Sequence, residues 1–324
     1  MGTKRTKHPF RLTFRIYWGF FGFLEAVRIK ILVVGTVSNV GPVIRGELDR
    51  VMAALEELAT IEVFLVESDS TDDSIDQLTS LQKNDSRVSF SSLGDLKPAI
   101  PSRIERIRYC RNHYVSFVRN KYEERRWDFV LVVDLDGMNN KITRASFEST
   151  FNSKIQWDAC FANQRNGYYD LYALRCDDWV SADVFSSLES LKKSYPYQQK
   201  GNSIFREWLN QFQHFDSLRE KAIYSNMRTL PPDGPWIRVH SAFGGLGIYK
   251  TEIFLNSNYD FRNLSPEIYS EHLDLHFACT QKNSMLYINP AMINNNWNVY
   301  NLNKFRAVRF LREFKKFITS VIQS

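Results

Sequence analysis

Two aspartates that follow a hydrophobic run have the clearest chemical potential in this sequence. In FVLVVDLDG (129–137), Asp134 and Asp136 come directly after five apolar residues and have one leucine between them. Two carboxylates this close repel each other unless a cation compensates their charge. Oxygen ligands of this kind suit Mg²⁺ or Mn²⁺, with the remaining positions taken by water and substrate phosphates. An exposed turn without function is the alternative.

The elements around these aspartates alternate between strands and helices. The sequence predicts strands at 30–35, 61–66, 87–93 and 129–133, and helices at 46–59, 74–83 and 103–122. This order predicts an α/β fold with a mostly parallel, Rossmann-like sheet flanked by helices. Ligands of such sheets gather beyond the carboxyl ends of the strands. We therefore expect the polar loops GTVSN, ESDSTDDS and DLDG to meet in one cleft.

Composition narrows the class of protein without choosing the ligand. The 324 residues are 44% hydrophobic and 24% charged, which is typical of a globular chain, and the net charge of +6 favours an anionic partner. The four cysteines show no CxxC spacing, which argues against zinc and disulfides and for a reducing, cytosol-like compartment. No apolar stretch reaches the length of a spanning helix.

One catalytic domain with two terminal extensions is the expected organisation. The domain covers 30–301, with one half at 30–150 and a second half at 151–301. Residues 1–29 form a basic, aromatic segment, and 302–324 predict a basic amphipathic helix. Either extension could lie on an anionic membrane surface or pack on the domain. For the C-terminal helix we favour contact with the membrane.

Polar residues after the second strand and in the basic helix are candidates for donor binding. Glu67 or Asp69 could accept hydrogen bonds from ribose hydroxyls or the base. The alternative is a helix cap formed by Ser70 or Thr71. In the basic helix, Arg111 with Asn112 is the pair expected to contact phosphate oxygens, because a guanidinium donates in a fork that matches them.

The second half offers acids, glycines and aromatic side chains. Candidate general bases are Glu271, Asp274 and Asp170. His276 lies four residues after His272 on one helix face and is a candidate metal ligand, although a structural histidine is the commoner case. Candidates for the acceptor site are Tyr169, which could stack on a sugar ring, and Gly244 and Gly245, where backbone could approach a sugar closely.

Three segments together resemble a family of enzymes. VESDSTDDS, RIERIRYCRN and WDFVLVVDLDG resemble GT-A nucleotide-sugar glycosyltransferases of the family-2 type. The order of the RN helix, the strand with D-x-D and WDACFANQRNGYYDLYALR is closer to the α-1,3-mannosyltransferase family of fungal capsule synthesis. The resemblance covers roughly residues 30–175. Ser68 and Asp69 depart from it, standing where the family-2 stretch has Asp-Gly.

The resemblance implies a GT-A fold, a UDP- or GDP-linked sugar donor and a Mn²⁺ or Mg²⁺ ion on Asp134 and Asp136. It also implies nucleoside contacts from the loop with Thr36, Ser38 and Asn39. We therefore expect a hexosyltransferase acting on a glycan or lipid-linked hydroxyl in surface polysaccharide synthesis. Its expected location is cytoplasmic, free or peripheral at the inner face of a membrane. The alternatives are a nucleotidyltransferase and a non-enzymatic module that binds nucleic acid or membrane; no nucleic-acid partner is expected.

Overall fold

The computed structural model describes residues 28–201, 203–260 and 270–323. Over these ranges, eight strands form a single sheet in the order β3-β2-β1-β4-β7-β5-β8-β6. The strands are β1 Ile29–Val37, β2 Ala59–Glu67, β3 Val88–Ser92, β4 Phe129–Val133, β5 Ala159–Gln164, β6 Ile237–Val239, β7 Leu246–Lys250 and β8 Leu286–Asn295. The helices are α1 Ile44–Leu55, α2 Ser74–Asn84, α3 Arg103–Arg125, α4 Arg144–Phe151, α5 Val184–Ser194, α6 Ile204–Ala222, α7 Thr251–Asn256, α8 His272–Gln281 and α9 Arg306–Gln323.

The sheet is covered on both faces, which explains the continuous apolar runs of its strands. In β1, Leu32 and Val34 pack into the core beneath α3, whereas Ile31 and Val33 pack into the core beneath α1, α2 and α4. Alternate residues of a strand point to opposite faces, so a strand covered on both sides needs apolar residues at every position. Each fully buried side chain of this kind contributes roughly 1.5–3 kcal/mol.

The strand directions bring the candidate loops to one edge of the sheet. Strands β1 to β4 pair in parallel, β5 pairs in parallel with β8, and β6 and β7 run in the opposite direction. The carboxyl ends of β1, β2, β4, β5 and β8 therefore share this edge with the start of β7. The predicted α/β class, with a mostly parallel sheet flanked by helices, is confirmed.

The helix predicted at 46–59 ends at Leu55, because β2 already begins at Ala59. On α3, Tyr109 is 52% exposed, because the buried face of this helix runs through Cys110, Tyr114 and Val118. Neither Ser70 nor Thr71 caps α2, which begins at Ser74 after Asp73. Most of the predicted segment 1–29 lies outside the described residues. Among the described helices, none is long and apolar enough to cross a membrane.

The predicted C-terminal helix is present as α9 and packs antiparallel against α6. Rings of Phe310, Phe314 and Phe317 lie 4.9–5.5 Å from the ring of Trp208. Near the start of α9, the buried Arg309 donates to Asp216 at 2.5 and 3.1 Å. The inner face of this helix therefore packs on the domain, which was the alternative to membrane contact.

Replacing Arg309 by alanine should destabilise the fold strongly. The variant leaves the carboxylate of Asp216 buried and poorly compensated, which costs about 3 kcal/mol in the free energy of unfolding. Arg306→Ala is the matched control, because Arg306 reaches the same carboxylate from an exposed position at 3.4 Å and should cost less than about 1 kcal/mol. Equal midpoints for both variants in urea denaturation would contradict the ion pair's structural role.

Candidate functional site

The D-x-D turn is fixed to the glycine turn before β7. The backbone N–H of Asp134 donates to the carbonyl of Gly245 at 3.0 Å. Between the aspartates, Leu135 is buried, so the two carboxylates stay on the open side of the turn. Asp134 has 30% of its side chain exposed, and Asp136 is more exposed. The pair thus lies at the edge where the strands end.

The electrostatics of Asp134 favour a bound cation. Burial raises the pKa of the Asp134 carboxyl to about 8; Arg111 opposes this, while Asp136, Glu271 and Asp170 raise it further. Burial also raises the pKa of Asp136, opposed by Arg103. Three carboxylates therefore act on Asp134, and Arg111 is the cation that opposes them. A divalent ion placed between Asp134 and Asp136 would remove this repulsion.

Arg111 connects the D-x-D turn to α8. Its Nε donates to Glu271 at 2.8 Å and its Nη2 lies 3.5 Å from Asp134 Oδ1. The guanidinium is buried, with its centre 5.4 and 5.6 Å from the rings of Phe243 and Tyr259. The neighbouring Asn112 does not extend this group, because its side-chain oxygen accepts from the backbone N–H of Tyr259 at 2.9 Å. Arg111 thus orients Asp134 and Glu271.

Of the three predicted bases, Asp274 is the most enclosed. It is fully buried and accepts from Arg108 Nε at 2.6 Å. Burial raises its pKa to about 6, although Arg108 opposes this. Glu271 is engaged by Arg111.

Asp170 lies on the opposite side of the cleft, beside the glycine turn. It accepts from the backbone N–H of Gly244 at 3.0 Å and from that of Ala173 at 3.4 Å. Burial raises the pKa of Asp170, while these two hydrogen bonds lower it. A carboxylate held by backbone donors keeps lone pairs available, and a role of Asp170 as general base stays a prediction.

His276 does not offer a free ring nitrogen to a metal. Nδ1 is hydrogen-bonded to the hydroxyl of Ser241 at 2.8 Å, and Nε2 to the hydroxyl of Tyr249 at 2.9 Å. Burial lowers the pKa of His276 to about 3, so the ring stays neutral. Throughout 28–201, 203–260 and 270–323, no cluster of three or more His, Cys, Asp and Glu side chains could hold a metal ion. A metal site on Asp134 and Asp136 stays a prediction.

Gly244 and Gly245 are required by their own surroundings. Both have positive φ, +70° and +83°, where residues with a Cβ are strained. A Cβ on Gly244 would lie 2.9 Å from the carbonyl oxygen of Ala162, and one on Gly245 would lie 3.1 Å from the hydroxyl of Tyr169. A tight turn accounts for these glycines. A contact between their backbone and a sugar stays a prediction.

The loops after β1 and β2 are bonded to each other. The side-chain oxygen of Asn39 accepts from the backbone N–H of Thr71 at 2.8 Å, and the Asn39 N–H donates to Ser70 Oγ at 3.1 Å. Thr36 is half-buried at the end of β1 and Ser38 is exposed in the loop. The three residues predicted to contact the sugar donor therefore lie at the end of β1 and in the loop after it.

Both acids predicted to contact the nucleoside already have partners. Glu67 is buried and accepts from the Ser70 N–H at 3.1 Å and from the hydroxyl of Ser92. Asp69 accepts from the backbone N–H groups of Leu96 and Lys97 at 2.8 and 3.0 Å. Although burial acts to raise it, the pKa of Asp69 is held below its ordinary value by these bonds and by Arg106. A nucleoside contact from either acid stays a prediction.

A buried amide network behind the turns was not predicted. Asn294 donates to Gly244 O at 2.8 Å and to Asn139 Oδ1 at 3.1 Å, and Gln164 donates to Gly244 O at 2.9 Å. Asn139 in turn donates to the carbonyl of Asp134. The run INNNWN, which follows the last strand's apolar core, was the available signal. These amides set the distance between the two turns.

Tyr300 is a second residue that sequence reasoning missed. Its ring stacks on Tyr169 with 5.3 Å between centroids and 16° between planes. Asp136 and Asp134 both raise the pKa of Tyr300 after the larger effect of burial, which puts this ring close to the aspartates. Tyr300 is 47% exposed, so the stack presents an aromatic surface beside the carboxylates.

No family of known sequences matches this chain, and no curated protein does. The mannosyltransferase PcManGT from Pyrobaculum calidifontis, solved in complex with GDP-Man and Mn²⁺, is 12% identical over 92% of this chain, with a TM-score of 0.44. The chain spans 65% of that protein's length. Mannosyl-3-phosphoglycerate synthase from Rubrobacter xylanophilus is 12% identical over 91% of this chain and 76% of its own, with a TM-score of 0.36.

Glucosyl-3-phosphoglycerate synthase from Mycobacterium tuberculosis, in complex with UDP, is 13% identical over 86% of this chain and 76% of its own, with a TM-score of 0.35. With every score below 0.5, these likenesses carry no functional argument, and function must be argued from the side chains. The predicted kinship with the fungal capsule mannosyltransferases stays a prediction.

His276→Phe should separate a structural histidine from a metal ligand. The variant leaves the buried hydroxyls of Ser241 and Tyr249 without their partner, which should lower the free energy of unfolding by about 2–4 kcal/mol. The affinity for Mn²⁺ in the presence of GDP or UDP, measured by electron paramagnetic resonance, should not change. Weakening of Mn²⁺ binding by tenfold or more, with the fold intact, would restore His276 as a ligand.

Proposed function

We propose that this protein is a metal-dependent glycosyltransferase that moves a hexose from a nucleotide diphosphate sugar to a hydroxyl of a glycan or lipid-linked acceptor. The observation that carries the proposal is the excess of carboxylates at the carboxyl edge of the sheet. Asp136, Asp170 and Glu271 all act on Asp134 there, and Arg111 is the cation beside it. Such a site gains stability when it binds a cation.

The donor set fits a hard divalent ion. Asp134 and Asp136 supply carboxylate oxygens alone, and Mg²⁺ is commonly held by one or two carboxylates with water and substrate phosphates completing its shell. Asp134 and Asp136 would hold Mn²⁺ or Mg²⁺. When bound, the ion supplies charge neutralisation for a departing nucleoside diphosphate. Such an ion would arrive together with its nucleotide, whose phosphates would complete its shell.

The remaining residues have roles that their contacts suggest. Arg111 keeps Asp134 and Glu271 in fixed positions through its two ion pairs. Asp170, whose pKa is raised by burial, would take the proton of the acceptor hydroxyl, since a base works best when its pKa approaches the operating pH. Asp274 is disfavoured in that role by its buried pairing with Arg108.

The two alternative functions have less support. A nucleotidyltransferase would need open backbone N–H groups in the loop after β1, but the N–H groups of Val40 and Gly41 both donate to Ser74 Oγ, at 2.8 and 2.9 Å. A module that binds nucleic acid at this edge would bring phosphates to a cluster of carboxylates, which repel them. The basic residues therefore need another explanation than a polyanion bound at this site.

Nucleoside diphosphates should stabilise the protein in a metal-dependent way. We expect one of GDP, UDP, CMP or dTDP to raise the melting temperature in the presence of Mn²⁺ and to have little effect in its absence, because the ligand binds the folded state. A nucleotide-sugar panel should then show release of the same nucleotide. Stabilisation by none of the four, with or without Mn²⁺, would contradict the proposed function.

Asp134→Asn and Asp136→Asn should each lower the rate of nucleotide release on the order of 100-fold or more, since loss of metal stabilisation costs several kcal/mol in the transition state. The metal-free Asp134→Asn protein should stay folded, because Glu271 still pairs with the buried Arg111 at 2.8 Å. Asp177→Asn is the matched control, because Asp177 is 80% exposed beside His240. Full metal-dependent activity in either test variant would refute the assignment.

A further inference from the structure

Helix α9 has an apolar side that is only partly covered. Its inner half, formed by Phe310, Phe314 and Phe317, packs on Trp208 of α6. The outer half stays in solvent: Leu311 is 63% exposed, Ile318 40% and Ile322 78%. Large apolar side chains grouped in this way cost solubility and commonly mark an interaction site.

The exposed residues form one continuous row that includes a cation. Leu311, Lys315, Ile318 and Ile322 are separated by four, three and four positions, which places them above one another on the same face of a helix. Lys315 is exposed within this row. A lysine in such a position can lay its methylene chain on apolar surface and keep its ammonium at a polar boundary.

The apolar row continues onto the start of α6. Because α6 and α9 run antiparallel, the first turn of α6 lies beside the second half of α9, where Phe205 is 6.2 Å from Phe317. Ile204 is 75% exposed and Phe205 is 50% exposed. The two helices together present an apolar end of the molecule with an aromatic ring among aliphatic side chains.

The charge of α9 is strongly positive. The helix contains Arg306, Arg309, Arg312, Lys315 and Lys316 against the single acid Glu313. Arg309 is used internally by Asp216 and Glu220. Lys315 lies exposed at the surface, and Lys316, with 73% of its side chain exposed, pairs with Glu313 at 2.9 Å. The surface thus combines an apolar row with surplus positive charge.

We propose that this surface, formed by the outer row of α9 and the first turn of α6, binds the headgroup region of an anionic lipid bilayer. An amphipathic helix with cations beside its apolar face lies in the plane of such an interface, where it buries apolar side chains and meets acidic headgroups. The helix is too short and too charged to cross, in keeping with the absence of a spanning helix among the described residues.

Charge argues against two other occupants of the surface. A second copy of the chain would place Lys315 and Lys316 of both molecules together, which is unfavourable. The N-terminal segment 1–27 of the same chain contains Lys4, Arg5, Lys7, Arg11 and Arg15 and would also bring like charges. An acidic surface complements the row, and a bilayer with anionic lipids supplies it. The inference holds whether or not the protein transfers sugars.

Co-sedimentation of the full chain with vesicles tests the inference. The protein should bind vesicles of phosphatidylcholine mixed with phosphatidylglycerol at least about tenfold more tightly than vesicles of phosphatidylcholine alone, and high salt should weaken this binding. The triple variant L311S/I318S/I322S and the double variant K315E/K316E should each lose at least about tenfold in partition. Both replace exposed side chains, so their melting temperatures should stay at the parent's value.

Matched substitutions elsewhere control for composition. I75S/I155S removes isoleucines that are 42% and 37% exposed on other parts of the surface, and K83E/K121E reverses exposed lysines there; both should bind as the parent does. Parent-like binding by the two α9 variants would assign the membrane contact to another segment, such as 1–27, and overturn the inference. The inference would also be overturned if the parent did not bind vesicles. It would likewise be overturned if the parent were a dimer that the triple variant L311S/I318S/I322S converted to monomers.

Discussion

The buried guanidinium of Arg111 is the interaction on which the arrangement of the cleft depends. It joins α3 to the start of α8 through Glu271 and to the end of β4 through Asp134. A charge in such a position is stable only when carboxylates surround it closely. The same carboxylates repel one another, so the guanidinium both holds them together and leaves negative charge uncompensated. The proposal of a bound cation rests on this imbalance.

Behind the carboxylates, neutral amide side chains fix the positions of the turn after β4 and the turn before β7 relative to each other. Asn139, Gln164 and Asn294 are all completely buried, and they connect the turn after β4 with the turn before β7 through hydrogen bonds of fixed length and direction. Such groups are costly to bury without partners, so the network is stable only when every strand end is in place. The turn after β4 and the turn before β7 are thereby built as one unit.

Local sequence predicted the elements well and the contacts between distant elements poorly. The apolar run beginning at Lys30 predicted β1, which extends from Ile29 to Val37, and the strand before Asp134 was found where expected. By contrast, the pairing of Arg111 with Glu271 spans 160 positions and has no signature in either segment. The partners of His276 could not be predicted for the same reason: Ser241 and Tyr249, which hydrogen-bond its ring, come from elsewhere in the chain. The spacing of apolar residues in the sequence predicts which side chains are buried. The partner of a buried polar group depends instead on how distant segments are arranged in the fold.

The ion pair of Arg309 with Asp216 divides α9 into two parts of unequal local stability. The first turns are anchored by charge in a buried setting, whereas residues beyond Phe317 extend past the first turn of α6 with their side chains in solvent. Amide hydrogens in the last turns should therefore exchange through small local openings, while those near Arg309 should exchange only when α6 and α9 separate. The start of the helix is therefore held firmly, whereas its last turns open more readily.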